Sequence, residues 1–262
     1  MLRCGRLAAS LSTLVKPVAA PTLLILQVGT PPDDIRAETG DLPQWFEAAI
    51  GKGGGTGEGA AKITVVRVFE GEPLPAPGAH SAAIITGSWA MVTDLLPWSE
   101  ATAQWIRDAM AQGVALFGVC YGHQLMAHAL GGAVDYHPQG REIGCLDIEL
   151  LPGADADPLL AGAASHFKAQ LTHMQTVTQL PPGATVLARS AHDAHQIVRY
   201  SPRAVSTQFH PEITPHIAST YIRLREGSLQ EEGLDPQAML AALEGTPTAQ
   251  RMLQRFVAGL AA

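Results

Sequence analysis

Apolar residues in this chain fall into short, nearly unbroken runs separated by loops and by stretches of helical spacing. Residues 22–29 (TLLILQVG) form the first such run, which ends in glycine. A strand buried on both faces, as in a parallel sheet, gives this pattern. Residues 62–69, 82–87 and 114–118 repeat it and read as a second, third and fourth strand. Between them, residues 41–50 read as a helix with Asp41 as cap and Pro43 in its first turn. Residues 97–111 read as another, marked by Ala103, Trp105, Ile106 and Met110, whereas residues 31–34 read as a loop. Strand alternating with helix is the signature of a doubly wound, mostly parallel α/β sheet with helices on both faces.

After Gly132 the pattern changes. Residues 133–136, 144–150, 185–188 and 195–200 read as short strands separated by turns, forming a small antiparallel or mixed flank. Helices are expected over 213–226, 236–244 and 246–260. The last carries an apolar face (Met252, Leu253, Phe256, Val257, Leu260) suited to docking on the core.

Composition narrows the function classes. The chain has 262 residues, 47% of them hydrophobic, which suits one α/β domain over residues 21–262. A net charge of −7 argues against a nucleic-acid surface, because binding phosphates needs a basic face. No run approaches the roughly 18 apolar residues of a membrane span. The three cysteines, Cys4, Cys120 and Cys145, are too few for a disulfide framework, and a reduced, cytoplasmic setting fits them better. Residues 1–20 are basic at the start and mildly apolar after it, but Ser10, Ser12, Thr13 and Lys16-Pro17 interrupt the pattern. They read as a loosely ordered extension rather than an export signal.

Candidate chemistry centres on residues 117–124 (FGVCYGHQ), where the fourth strand meets a segment of helical spacing. Cys120 sits in the turn between Gly118 and Gly122. Small flanking residues suit a sharp bend that lifts one side chain out of the sheet, the mechanics of a nucleophile elbow with Cys in place of Ser. The helix that follows aims N–H groups at the sulfur, favouring thiolate and offering donors to an oxyanion formed beside it. A buried core cysteine at a strand end remains the alternative. A second stretch, residues 204–209, reads as another strand and ends in His210-Pro211-Glu212. Cysteine catalysis needs a base for the thiol proton and a group that holds the base, and His210 and Glu212 suit those jobs. By itself, His-Pro-Glu is equally well a surface turn.

Taken together, Gly118–Gln124 (GVCYGHQ) and Gln208–Glu212 (QFHPE) resemble the class I, triad-type glutamine amidotransferases. The resemblance runs from about Leu23 to Glu212. Within the family the chain is most similar to stand-alone relatives of the GMP synthase glutaminase domain, through Ile85-Thr86-Gly87-Ser88, Gly140-Arg141-Glu142-Ile143-Gly144 and residues 172–177 (THMQTV). The resemblance implies a flavodoxin-like fold with Cys120 as nucleophile, His210 as base and Glu212 as its partner. It also implies an oxyanion hole from Gly87, Ser88 and Tyr121, where many relatives carry Gly-Gly-Pro and this chain has Gly87-Ser88-Trp89. Gln124 and His173 stand at substrate-contacting positions. The implied reaction is hydrolysis of a glutamine side-chain amide through a γ-glutamyl thioester, without cofactor.

Several motifs lead elsewhere or nowhere. Residues 51–59 (GKGGGTGEG) fail as a phosphate loop, because Lys52 is followed by Gly53, and they read as a surface loop. The ten histidines include no His-Glu-x-x-His and no Cys pair at zinc spacing, so no metal is expected. About 50 residues follow Glu212, too few for a nucleotide-binding synthase domain. Three readings therefore stay open: a glutaminase subunit serving a separate synthase, a free-standing hydrolase of γ-glutamyl peptides or amines, and a non-catalytic regulatory protein. A cysteine elbow of the intracellular-protease or chaperone type is a further possibility, from which His-Pro-Glu separates this chain.

Overall fold

The first apolar run forms strand β1 (Thr22–Gln27) at the heart of a parallel sheet, in a computed structural model that describes residues 21–51 and 61–260. Most of the glycine-rich loop and the N-terminal extension lie outside the described residues. Beyond β1 come α1 (Asp33–Thr39), α2 (Leu42–Ile50), β2 (Lys62–Arg67), β3 (Ala82–Ile85), α3 (Pro97–Ala111), β4 (Ala115–Val119) and α4 (Tyr121–Ala129). Seven strands and two helices then run β5 (Ala133–Tyr136), β6 (Glu142–Leu150), β7 (His166–His173), β8 (Gln175–Gln179), β9 (Thr185–Arg189), β10 (Ile197–Ser201), β11 (Ala204–Thr207), α5 (Pro215–Leu224) and α6 (Glu226–Glu231). Helices α7 (Pro236–Ala241) and α8 (Pro247–Ala258) follow.

Nine strands make one mixed sheet in the order β2-β1-β3-β4-β11-β10-β9-β6-β7, and β5 pairs with β8 in a separate antiparallel ribbon. The first five strands of that order are parallel and the remainder antiparallel. Alternate residues of the parallel strands feed two cores. Leu23, Ile25, Ile84 and Phe117 face α2 and α8, while Leu24, Leu26, Ile85 and Leu116 face α3 and α4. This two-sided burial is why the strands read as unbroken apolar runs. The apolar face expected on the last helix docks as read: Met252, Leu253, Phe256 and Val257 are buried, and the Phe256 ring meets Phe117 edge-on at 5.3 Å.

Three elements differ from the sequence reading. Helix α1 takes in Asp33 and Asp34, the end of the loop expected at 31–34, and runs on to Thr39. Its inward face is the single buried Ile35, so no apolar period marks it, while Asp33 and Asp34 sit in the first turn where the helix dipole favours acids. Strands β7 and β8 carry buried Gln170, His173 and Gln175 at inward positions, which hides their alternation. The segment expected as one helix over 213–226 breaks into α5 and α6 at Arg225, whose backbone (φ −116°, ψ 15°) leaves the helical region.

Candidate active site

Strand β4 ends at Val119 and α4 begins at Tyr121, so Cys120 alone makes the turn, and it does so with φ 51° and ψ −101°. A non-glycine residue at positive φ costs on the order of 1–3 kcal/mol and needs surroundings that hold it there. The surroundings are backbone hydrogen bonds to both neighbouring strands. The Cys120 N–H donates to the Thr207 carbonyl at 2.9 Å, and the Gly122 N–H donates to the Thr86 carbonyl at 3.1 Å. The flanking glycines are required by close approach. A Cβ on Gly118 would stand 2.6 Å from the Gly122 carbonyl oxygen, and one on Gly122 would collide with the Ile85 carbonyl.

The same strand that pins the elbow carries the histidine. Past β11 the chain reaches His210, whose N–H donates to the Gln170 carbonyl of β7 at 2.9 Å. Phe209 anchors the turn against Phe167, ring centroids 5.8 Å apart. His210 Nδ1 donates to Glu212 Oε1 at 2.7 Å, and the carboxylate is buried. That bond commits Nδ1 and leaves Nε2 without a hydrogen-bond partner among the described residues. Burial alone would push the imidazole pKa down. The charges of Glu212 and Cys120 overcome it and hold His210 well above its ordinary value.

Gly87 brings the two halves together. A Cβ there would lie 3.2 Å from His210 Cε1 and 3.7 Å from Cys120 Cβ, so ring and thiol side chain flank one glycine. Cys120 Sγ lies 3.7 Å from the Thr172 carbonyl oxygen. A cavity of about 380 Å³ opens over this group, and Gly87, Ser88, Cys120, Tyr121, Gln124 and His210 all line it. Glu212 stands behind the ring. Tyr121 is the first residue of α4, so its N–H belongs to the set that a helix start leaves without an internal acceptor. Its hydroxyl is turned into the core against Ser99 at 2.7 Å, and burial pushes its pKa up to about 12. Ser88 Oγ accepts from the Ala90 N–H at 3.1 Å, which ties up the side chain within its own loop.

The two residues expected to contact substrate differ in what they have free. Gln124 Nε2 donates to the Gln175 carbonyl at 2.7 Å and to Gln208 Oε1 at 3.0 Å, so its carbonyl oxygen is the group left for a ligand. His173 borders the cavity, yet both ring nitrogens are engaged, Nδ1 with the Gln175 carbonyl at 2.9 Å and Nε2 with Glu142 Oε2 at 2.8 Å. Glu142 also accepts from Ser190 Oγ and Gln196 Nε2, so the histidine belongs to a buried polar network. Sequence reasoning quoted the stretches that hold Thr172 and Gln208 but did not single out the Thr172 carbonyl beside the thiol or the Gln208 side chain that accepts from Gln124. Among the described residues no group of three or more His, Cys, Asp or Glu side chains is arranged to hold a metal, and no helix is long and apolar enough to cross a membrane.

Comparison with known proteins follows the same lines. The family model described as "Glutamine amidotransferase class-I" matches residues 61–224. The GMP synthase of Thermomicrobium roseum is 35% identical over 130 residues, covering 50% of this chain and 23% of that protein. The chain thus spans about a quarter of that relative's length. A gamma-glutamyl-L-1-hydroxyisopropylamide hydrolase of Pseudomonas sp is 29% identical over 163 residues, covering 60% of this chain and 55% of the hydrolase. Among solved structures, a glutamine amidotransferase from Thermotoga maritima superposes with a TM-score of 0.71 at 20% identity, over 92% of this chain and 98% of its own. One from Methylobacillus flagellatus gives 0.70 at 24% identity, over 92% and 94%. The chain belongs to the class I glutamine amidotransferase family, and its amidotransferase domain is related to the glutaminase domain of GMP synthase.

Proposed function

We propose that this chain hydrolyses the side-chain amide of glutamine or of a γ-glutamyl compound through a Cys120–His210–Glu212 triad. The observation that carries the reading is the convergence of a strained cysteine elbow and a His–Glu pair on one glycine, at the floor of one cavity. Cys120 Sγ attacks the amide carbon, and His210 takes the thiol proton and delivers it to the leaving nitrogen. Glu212 fixes the ring tautomer and stabilises the imidazolium. The Tyr121 N–H, at a helix start, and an N–H of the Gly87–Ser88 loop hold the oxyanion of the tetrahedral intermediate. Collapse expels ammonia or an amine and leaves a γ-glutamyl thioester. Water, activated by His210, hydrolyses the thioester to glutamate and regenerates the thiol. Residues 21–262 act as a single amidotransferase-like domain, supported by the docking of α8 on the core.

The test is turnover of glutamine, γ-glutamyl peptides and γ-glutamyl alkylamides by wild type and by Cys120→Ala. Ammonia or amine release that vanishes in the variant supports the reading; release that persists overturns it.

Glutamine is the first choice as substrate, with a separate synthase subunit as the ammonia acceptor. A second reading, a free-standing γ-glutamyl amide hydrolase, has its own support. The cavity continues past the thiol along Ile35, Leu42, Trp45, Ile213 and Ile217, an apolar wall that free ammonia does not need. The Pseudomonas relative is by its name a hydrolase of a γ-glutamyl amide. Relative kcat/KM for glutamine and for alkylamides separates the two.

A further inference from the structure

Most of the cavity wall is apolar, yet it contains one matched pair of opposite charges among the described residues. Arg141, just before β6, and Glu232, just after α6, both line it. They form a two-pronged ion pair, with Nε donating to Oε2 at 2.7 Å and Nη2 donating to Oε1 at 3.1 Å. The other charged arginine in the wall, Arg225, is committed to Asp34 through both terminal nitrogens at 2.7 and 2.8 Å.

We propose that Arg141 and Glu232 are a clamp for the free amino-acid head of the γ-glutamyl donor, Arg141 taking the α-carboxylate and Glu232 the α-ammonium. The inference rests on the hydrolase reading and assigns it a specificity device from residues on both sides of the cavity. A zwitterionic head entering an apolar cavity loses its water and needs opposite charges waiting there. The pair supplies both signs at no change in net charge. Neither partner is used up. Arg141 Nη1 donates to the Tyr221 hydroxyl at 3.2 Å and keeps a second N–H, and each Glu232 oxygen accepts one bond and has a further lone pair. Both side chains keep solvent exposure, 20% for Arg141 and 35% for Glu232, so an incoming group can reach them.

Reach agrees with this assignment. The thiol lies beside the Thr172 carbonyl, and the Arg141 guanidinium touches Met174 Sδ at 3.6 Å. Met174 is the bend between β7 and β8, two residues on from Thr172. In a γ-glutamyl group three carbon–carbon bonds of about 1.5 Å each separate the attacked carbon from the α-carbon, with the carboxylate one bond further. Arg141 therefore contacts the residue two positions on from the one beside the thiol, and both groups border the same cavity. Glu232 lies outside the stretch matched by the family model, so the second half of the clamp comes from this chain's own C-terminal helices.

The experiment combines binding with turnover. Glutamine and γ-glutamylethylamide are titrated calorimetrically into Cys120→Ala protein, alone and with Arg141→Ala, Arg141→Lys or Glu232→Gln added. Loss of a charge-assisted contact predicts affinity lower by on the order of 10- to 100-fold for Arg141→Ala, with partial retention in Arg141→Lys. Glu232→Gln weakens both ligands but not their Nα-acetyl derivatives, which lack the ammonium. In the Cys120 background the same substitutions raise KM with little change in kcat, and iodoacetamide alkylates Cys120 at the wild-type rate. Binding without turnover would defeat the hydrolase reading while leaving the clamp supported. Unchanged affinities alongside a lowered unfolding temperature would show that the pair only ties α6 to the sheet, and the clamp would be overturned. Failure of both ligands to bind Cys120→Ala would overturn it as well.

Discussion

Cys120 carries the backbone strain and the proposed nucleophile in one residue, and its environment is separable from that of the second described cysteine. Cys145 is also buried, but desolvation pushes its thiol up, and its Sγ is turned to the Glu244 carbonyl at 3.9 Å. A chloroketone analogue of glutamine is therefore expected to label Cys120 and spare Cys145, read by peptide mass spectrometry; label on Cys145 contradicts the assignment. The raised pKa of His210 gives a pH prediction. With the thiol proton on His210, the active form is a thiolate–imidazolium pair; loss of that shared proton leaves nothing to protonate the leaving nitrogen, so activity is kept below the His210 pKa and falls as pH rises through it. Glu212 is among the groups that raise that pKa, so Glu212→Gln should move the alkaline limb of kcat/KM to lower pH. His210→Ala should cost roughly 10²–10⁴-fold in rate, and Glu212→Gln less, since an amide still orients the ring. An unmoved limb in Glu212→Gln would remove Glu212 from the proposed role. At this scale the sequence was most legible in which residues the fold brings together, Cys120, His210 and Glu212. It was least legible at His173. There the engagement of both ring nitrogens depends on Glu142 across the β6–β7 pair, a partner that no local spacing announces.

The elements around the elbow divide stability from catalysis, and two glycines test the division. Gly122 packs its backbone on the Ile85 carbonyl of β3, far from any group that could yield. Gly122→Ala should overpack this helix–strand contact and destabilise the fold by about 1–3 kcal/mol, seen in chemical or thermal unfolding. Gly87 meets a ring instead. Its added Cβ, 3.2 Å from His210 Cε1, can be relieved by a small tilt of the imidazole. Gly87→Ala should leave the unfolding midpoint nearly unchanged and lower kcat by on the order of 10- to 100-fold, because misplacing a catalytic group is costly. Equal effects of the two substitutions on stability would mean that Gly87 is a packing glycine only. The central parallel elements could be read from sequence because β1, β3 and β4 are buried on both faces and are almost wholly apolar. Strands β7 and β8 could not, since Gln170, His173 and Gln175 occupy inward positions for the sake of the polar network and the cavity floor. The residues that conceal a strand are here the ones that build the site.

At the scale of the whole molecule, the proposed thioester raises the question of which amine leaves, and the cavity's lining makes it testable. The reacting group lies at the ends of the parallel strands, where doubly wound sheets place ligands. Helices α1, α2 and α5, with the turn before α5, then add an apolar wall of Ile35, Trp45, Ile217 and Ile213 to the cavity, which an ammonia leaving group does not need. That extension was not legible in the sequence, because α1 was hidden and the break between α5 and α6 could not be placed. A glutaminase that waits for a synthase should be nearly silent alone, since hydrolysis without an acceptor wastes glutamine. A free-standing γ-glutamyl amide hydrolase should turn over unaided, on the order of 1–10³ per second. Ile213 sharpens the contrast, because it is only partly buried and borders the cavity without belonging to the triad. If the apolar wall receives the amine, Ile213→Ser removes contact worth roughly 0.8 kcal/mol per buried methylene. KM for γ-glutamyl butylamide should then rise several-fold while KM for glutamine holds. If ammonia is the true leaving group, both substrates respond alike, and the wall is explained by packing between α1, α2 and α5 rather than by substrate.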